Sequence, residues 1–156
     1  MKFARFFQTT GSAGPLLLRL GLAIAMFPHG AQKMLGLFGG HGFKGTMEFF
    51  TGGMHVPAFL AFMAICVEFF APIALLLGFF TRLAGFALAV QIAVAAILGG
   101  HWANGFFMNW AGNQKGEGIE YHILVFAIGL GLAFLGGGKW AIDSWIARNL
   151  GGGVKR

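Results

Sequence analysis

Three ionisable side chains and a proline interrupt an apolar run near the start of the chain, LLLRLGLAIAMFPHGAQKMLG at residues 16–36. At roughly 100° per residue, Arg19, His29 and Lys33 fall on one face of a helix, with Gln32 well away from them. Pro28 removes a backbone donor beside His29 and is expected to open the helix there. A carboxylate, Glu68, stands in the middle of the next apolar run, with Pro72 one turn later. Ionisable groups inside a hydrocarbon layer are costly unless paired, and they mark proton relays, ligand sites or helix contacts. Alone, Glu68 would tend to protonate. The expected partner is Arg19, whose guanidinium can hold a carboxylate through two parallel hydrogen bonds. On that reading Glu68 exchanges protons, Arg19 orients and tunes it, and His29 donates to a carbonyl or relays protons outward. The plainer alternative is an ion pair that only locks two helices together.

More polar groups gather toward one end of the predicted helices: Lys33, Gln91, His101, Asn104, Glu120 and His122. Glu120 and His122 open the last apolar run, where a carboxylate also suits a helix N-terminus. No HxH, HxxxH or HExxH spacing occurs, and a haem or metal site would need His29, His101 and His122 from three helices, so haem and metal are disfavoured. Cys66 is the one cysteine and reads as a small buried hydrophobe.

The elements that must position these residues follow from composition. Of 156 residues, 57% are hydrophobic and 10% charged, against about 25% charged in an ordinary soluble domain. Such a chain lacks the polar groups to cover its own surface and is expected in lipid. Runs of ~20 apolar residues, the length of a bilayer crossing, predict spans over approximately 15–35, 57–80, 82–101 and 120–135. Pro15 and Pro57 suit helix starts, and the second and third spans form a tight hairpin. The first run is too long for a secretory signal and is read as structure.

The net charge of +6 raises the question of nucleic acid, but the cations sit at the ends of the apolar runs and read as topology signals. Lys2, Arg5, Arg82, Lys139, Arg148, Lys155 and Arg156 fall on one side, and Lys44 and Lys115, with Lys33 at a helix end, on the other. Both termini are therefore expected in the cytoplasm, with no nucleic-acid partner. In the tail at 139–150, Trp140, Ile142, Trp145 and Ile146 alternate with Lys139, Asp143 and Arg148, which suits a helix lying in the interface. The loops at about 36–56 and 102–118 carry Phe38, Phe43, Phe49, Phe50, Phe106, Phe107 and Trp110. They are expected to fold back as caps or to form an interfacial aromatic belt. Small residues at four-residue spacing, Gly85, Ala89 and Ala93, and again Ala127 and Gly131, predict close helix contacts.

The order RLGLAIAMFPHGAQKMLG, a GGxGF loop, Glu68 followed by LLLGFFTR, then HWANGFF, Glu120-Tyr121 and GGGKWAID resembles the DoxX family of small bacterial membrane proteins. The resemblance runs from Arg19 to Asp143. It implies an all-α, four-helix membrane bundle, multi-pass in the bacterial cytoplasmic (inner) membrane, with Arg19, His29, Gly30, Lys33, Glu68, Gly78, Arg82, His101, Gly105, Phe106 and Glu120 at matching positions. It also implies links to thiosulfate:quinone oxidoreductase, to sulfur compounds and to oxidative stress, and a redox system built from two different polypeptides.

The resulting expectation is a quinone-linked oxidoreductase subunit. Glu68, Arg19 and His29 would act at the reacting group, and Lys33, Gln91, His101, Asn104, Phe106, Glu120 and His122 would line the quinone or substrate site. Quinone is the expected cofactor; a redox-complex subunit or a second copy of the chain is the expected partner. The alternatives are a non-catalytic anchor or assembly subunit and a proton-coupled small-solute transporter.

Overall fold

The computed structural model describes residues 6–150, and among these the chain is all-α, with no strand. Lys2, Arg5, Lys155 and Arg156, four of the cations used for orientation, lie outside the described residues.

Helix α1 spans Ala13–Leu35. It begins two residues before Pro15 because the Ser12 hydroxyl accepts a hydrogen bond from Gly14 N at 3.2 Å and caps the first turn. It ends at Gly36, whose φ of +73° is left-handed backbone that glycine adopts without strain. A short α2, Gly42–Glu48, runs into a π-helical turn at Phe49–Gly53. Helix α3 spans Ala58–Leu77 and stops short of the expected residue 80, since Gly78 and Phe80 both take left-handed backbone to turn the chain into α4, Thr81–Leu98. A single 3-10 turn, His101–Asn104, opens the second long loop. Helix α5 spans Glu120–Leu135, and α6 spans Ile142–Asn149.

Four long helices pack in a ring: α1 on α3, α3 on α4, α4 on α5, and α5 back on α1. Leu22, Met26, Leu75, Leu88, Val125 and Leu132 meet at its centre. The α4–α5 contact is close because two glycines face each other: a Cβ on Gly85 would sit 2.7 Å from Gly129 O, and one on Gly129 2.7 Å from Gly85 O. Ala89 joins that contact, but a Cβ on Gly131 would meet nothing and Ala127 is exposed, so the second predicted small-residue pair makes no helix contact.

By length and composition α3 and α4 are long and apolar enough to cross a membrane, and α5 is a shorter apolar helix. Helix α1 matches them in length but carries Arg19, His29, Gln32 and Lys33. Outward positions such as Leu17, Ile24, Phe59, Phe70, Leu83 and Phe134 are apolar and exposed.

The ring has two unlike ends. Both described chain ends lie at one, the terminal end, where Gly138 N donates to Thr9 Oγ1 and Lys139 N to Ser12 O. At the other, the loop end, α2 packs on α1 and α3, with Phe43 edge-on to Phe62. The second loop there is tied down by two carboxylates, one from the first residue of α5 and one of its own: Met108 N donates to Glu120 Oε2 and Asn109 N to Glu117 Oε2.

Candidate functional site

Glu68 sits one helical turn before Pro72 on the inward face of α3 and is 7% exposed. Its partner is Lys33, not Arg19: Lys33 Nζ lies 2.6 Å from Oε1, and Gln91 Nε2 donates to Oε2 at 3.3 Å. Gln91 also donates to Ala64 O at 3.2 Å. Groups from α1, α3 and α4 therefore converge on one carboxylate. The convergence depends on Gly30, because a Cβ there would drive into the Glu68 backbone carbonyl. This glycine lets α1 and α3 touch backbone to backbone just where Lys33 must reach across.

The expected Arg19–Glu68 pair is corrected by the fold. Arg19 is 2% exposed, lies near the terminal end, and donates to carbonyls: Leu75 O at 2.8 Å, Leu76 O at 2.6 Å, Gly137 O at 2.9 Å and Lys139 O at 3.3 Å. The last carbonyls of a helix have no partner of their own and carry the negative end of its dipole, so a guanidinium is well placed there. Lys33 lies further along the same face of α1, on the level of Glu68, and needs no long reach. Arg82 repeats the arrangement at the end of α5, donating to Ala133 O at 2.8 Å, Phe134 O at 2.6 Å and Gln8 O at 2.9 Å.

Asp143 completes the terminal end. Its carboxylate accepts from Phe80 N and Thr81 N, both at 2.8 Å, and so caps the start of α4. Burial pushes its carboxyl above the ordinary carboxylate range, while the hydrogen bonds from Thr81 and Phe80 and the charge of Arg82 pull it back. Sequence reading assigned Asp143 only to the polar face of an interfacial helix. Its motif neighbours, GGGKWAID, gave no sign that it reaches the α3–α4 turn.

At the loop end the Lys33–Glu68 pair opens on a cavity of about 770 Å³. Of the predicted residues, Glu68, His29, Lys33, Gln91, His101 and His122 line it. The His101 and His122 rings stack with centroids 4.2 Å apart, and His101 Nδ1 lies 2.8 Å from Glu117 O. Four predicted residues are elsewhere. Arg19 is at the terminal end. Asn104 donates to Glu117 O at 3.1 Å, Glu120 is engaged with Met108 N, and Phe106 is half exposed with its ring edge-on to Phe107. These last three brace the second loop.

The cavity also contains residues outside the expected site. Tyr121, the one tyrosine of the chain, lines it and donates from its hydroxyl to Met26 Sδ at 3.1 Å, with its ring 6.0 Å from His29. A phenol flanked by Glu120 and His122 at the start of an apolar helix was the available signal, since a buried hydroxyl seeks a partner. Glu117 and Met108 come from the loop and carried no such signal.

The DoxX family model matches residues 14–102. A protein of Bacillus subtilis (strain 168) named "Putative oxidoreductase CatD" is 32% identical over 84 residues, which cover 54% of this chain and 58% of that protein. The match thus spans little more than half the length of that relative. No solved structure matches. The family match takes in α1, α3 and α4, and with them Lys33, Glu68 and Gln91. With more than half of its length matched, this chain belongs to the DoxX family.

Proposed function

We propose that this protein is a multi-pass subunit of a quinone-linked oxidoreductase in the bacterial cytoplasmic membrane, with all four long helices crossing the bilayer and the terminal end in the cytoplasm. The observation that carries the reading is an ion pair, Lys33–Glu68 at 2.6 Å, open to an apolar-walled cavity of about 770 Å³. A quinone head group calls for such a slot, a donor for its carbonyl and a group that exchanges protons. Lys33 donates to the carbonyl and opposes the negative charge that grows on it. Glu68, held by Gln91, takes up and passes protons, and His29 and Tyr121 extend the relay toward the loop end. Reduction to the hydroquinone consumes two electrons and two protons, the electrons coming from a reduced donor, such as a sulfur compound, through a redox partner protein. Among the described residues Glu68 and Lys33 form an ion pair with each other, and both line the cavity.

A second reading, a non-catalytic anchor or assembly subunit, draws on the loop end itself. Trp102, Phe106, Phe107 and Trp110 are all exposed there, and Trp110 is 89% exposed. Such a surface suits a protein partner or the membrane interface.

Quinone binding by the protein in lipid nanodiscs, alone and with its copurifying partner, tests the proposal. Glu68→Gln and Lys33→Met should each weaken binding about tenfold or more, the loss of one charge-assisted contact, while the fold survives. Wild-type protein that binds no quinone in either setting overturns it.

A further inference from the structure

The cavity reaches the outer surface of the protein between α3 and α4. Leu60 and Met63 of α3 and Phe86, Val90, Val94 and Leu98 of α4 line it, yet each is between 41% and 54% exposed. On α4 these residues recur every fourth position, so they form one stripe along the helix. Behind them Ala64, Ala87 and Ala95 also line the cavity, and their small side chains leave a slot between the helices. The slot occupies the part of the hairpin away from the three-residue turn that ties α3 to α4. Gln91 lies midway along it and bridges Ala64 O and Glu68 Oε2.

The geometry points to a ligand that enters sideways from the bilayer through the α3–α4 slot. Its polar end meets Lys33, Glu68 and Gln91, and a long apolar tail remains between the helices, in contact with lipid. This rests on the proposed function for the site and adds the physical class of the ligand: a membrane-dissolved amphiphile, not a water-soluble one. A small anion taking this route would have to pass Val90, Val94 and Met63 without a polar partner, at a desolvation cost of several kcal/mol. A tailed molecule satisfies both halves of the site, because burying each methylene of its tail contributes about 0.8 kcal/mol.

The test compares two benzoquinones with the same head group, one carrying an isoprenoid tail and one without it, binding to the protein in nanodiscs. Val90→Trp and Val94→Trp fill the slot from the lipid-exposed side, where a larger apolar residue is tolerated. Each should weaken the tailed quinone about tenfold and leave the tailless one within about twofold. Glu68→Gln should weaken both. Equal loss of the two quinones in the tryptophan variants, or loss of neither, overturns sideways entry.

Should no quinone bind to wild type, the proposed function falls and a spin label still judges the slot. A nitroxide at Ala87→Cys, in a Cys66→Ser background, should be relaxed by membrane-dissolved oxygen, shielded from an aqueous nickel chelate, and shielded from oxygen once Val90→Trp is added. Relaxation by the nickel chelate, or oxygen access unchanged by Val90→Trp, overturns the inference.

Discussion

Arg19 and Lys33 are cations on one face of one helix, yet their surroundings differ. Arg19 is closed in at the terminal end, where four backbone carbonyls from the end of α3 and the segment before α6 take up its donors. Lys33 is a quarter exposed and meets a single carboxylate at the edge of a cavity. The first arrangement joins the ends of helices: Arg19 on α3, Arg82 on α5, Asp143 on α4, each opposing the local dipole. The second leaves donor and acceptor groups lining a cavity. A buried charge whose partners are all backbone has a structural task. One that shares a partner with a cavity is free to exchange that partner for a ligand.

The comparison breaks most readily at Arg19. Arg19→Leu leaves the carbonyls of α3 and residues 137–139 without donors and should cost on the order of 3–5 kcal/mol, read as a large fall in the unfolding midpoint in detergent. A variant that unfolds like wild type while losing quinone binding would return Arg19 to the ligand site.

Gly30→Val should cost about 2 kcal/mol through overpacking and also weaken quinone binding, because it separates α1 from α3 at the level of the ion pair. Retained binding despite lowered stability would show that Lys33 does not need that close approach.

Lys33→Met should cost only about 1–2 kcal/mol, since Gln91 still holds Glu68, and the double variant Lys33→Met/Glu68→Gln should recover much of that loss because no charge is left unpaired. Both should bind quinone at least about tenfold more weakly than wild type. Failure of the double variant to recover would mean that the pair stabilises the bundle in its own right.

The smallest effect is a pH dependence at the terminal end. Burial raises the folded carboxyl of Asp143, so just above the ordinary carboxylate range the folded protein holds a proton that the unfolded chain has released. Its contribution is complete below that range and is lost as pH rises through the raised value. Asp143→Asn should flatten the fall while costing less than about 1 kcal/mol at lower pH. Denaturant titrations across that window check it, and an unchanged slope would exclude Asp143 as the source.

Much of the fold was legible because apolar runs and their breakers are local features. Glu120 opens α5 where the pattern placed it, whereas α3 ends at Gly78, short of the expected residue 80, through left-handed backbone. The site was half legible. The periodicity of α1 put Lys33 and His29 on one face, and the position of Glu68 within its run put it at depth. Which cation meets Glu68 was not readable, because it depends on the relative height of α1 and α3, and that height is set by the contact at Gly30. The role of Asp143 was hidden for a similar reason: its partners, Phe80 and Thr81, are far away in sequence.

The sequence by itself determined that the chain is helical, where the long helices lie and which residues of α1 share a face, since these follow from periodicity, glycine and proline. Only the tertiary structure decided that Arg19 closes helix ends, that Lys33 answers Glu68 and that a slot stays open between α3 and α4. Those outcomes depend on how far each helix slides along its neighbour, and sliding is governed by glycine contacts and side-chain volumes that no single segment contains.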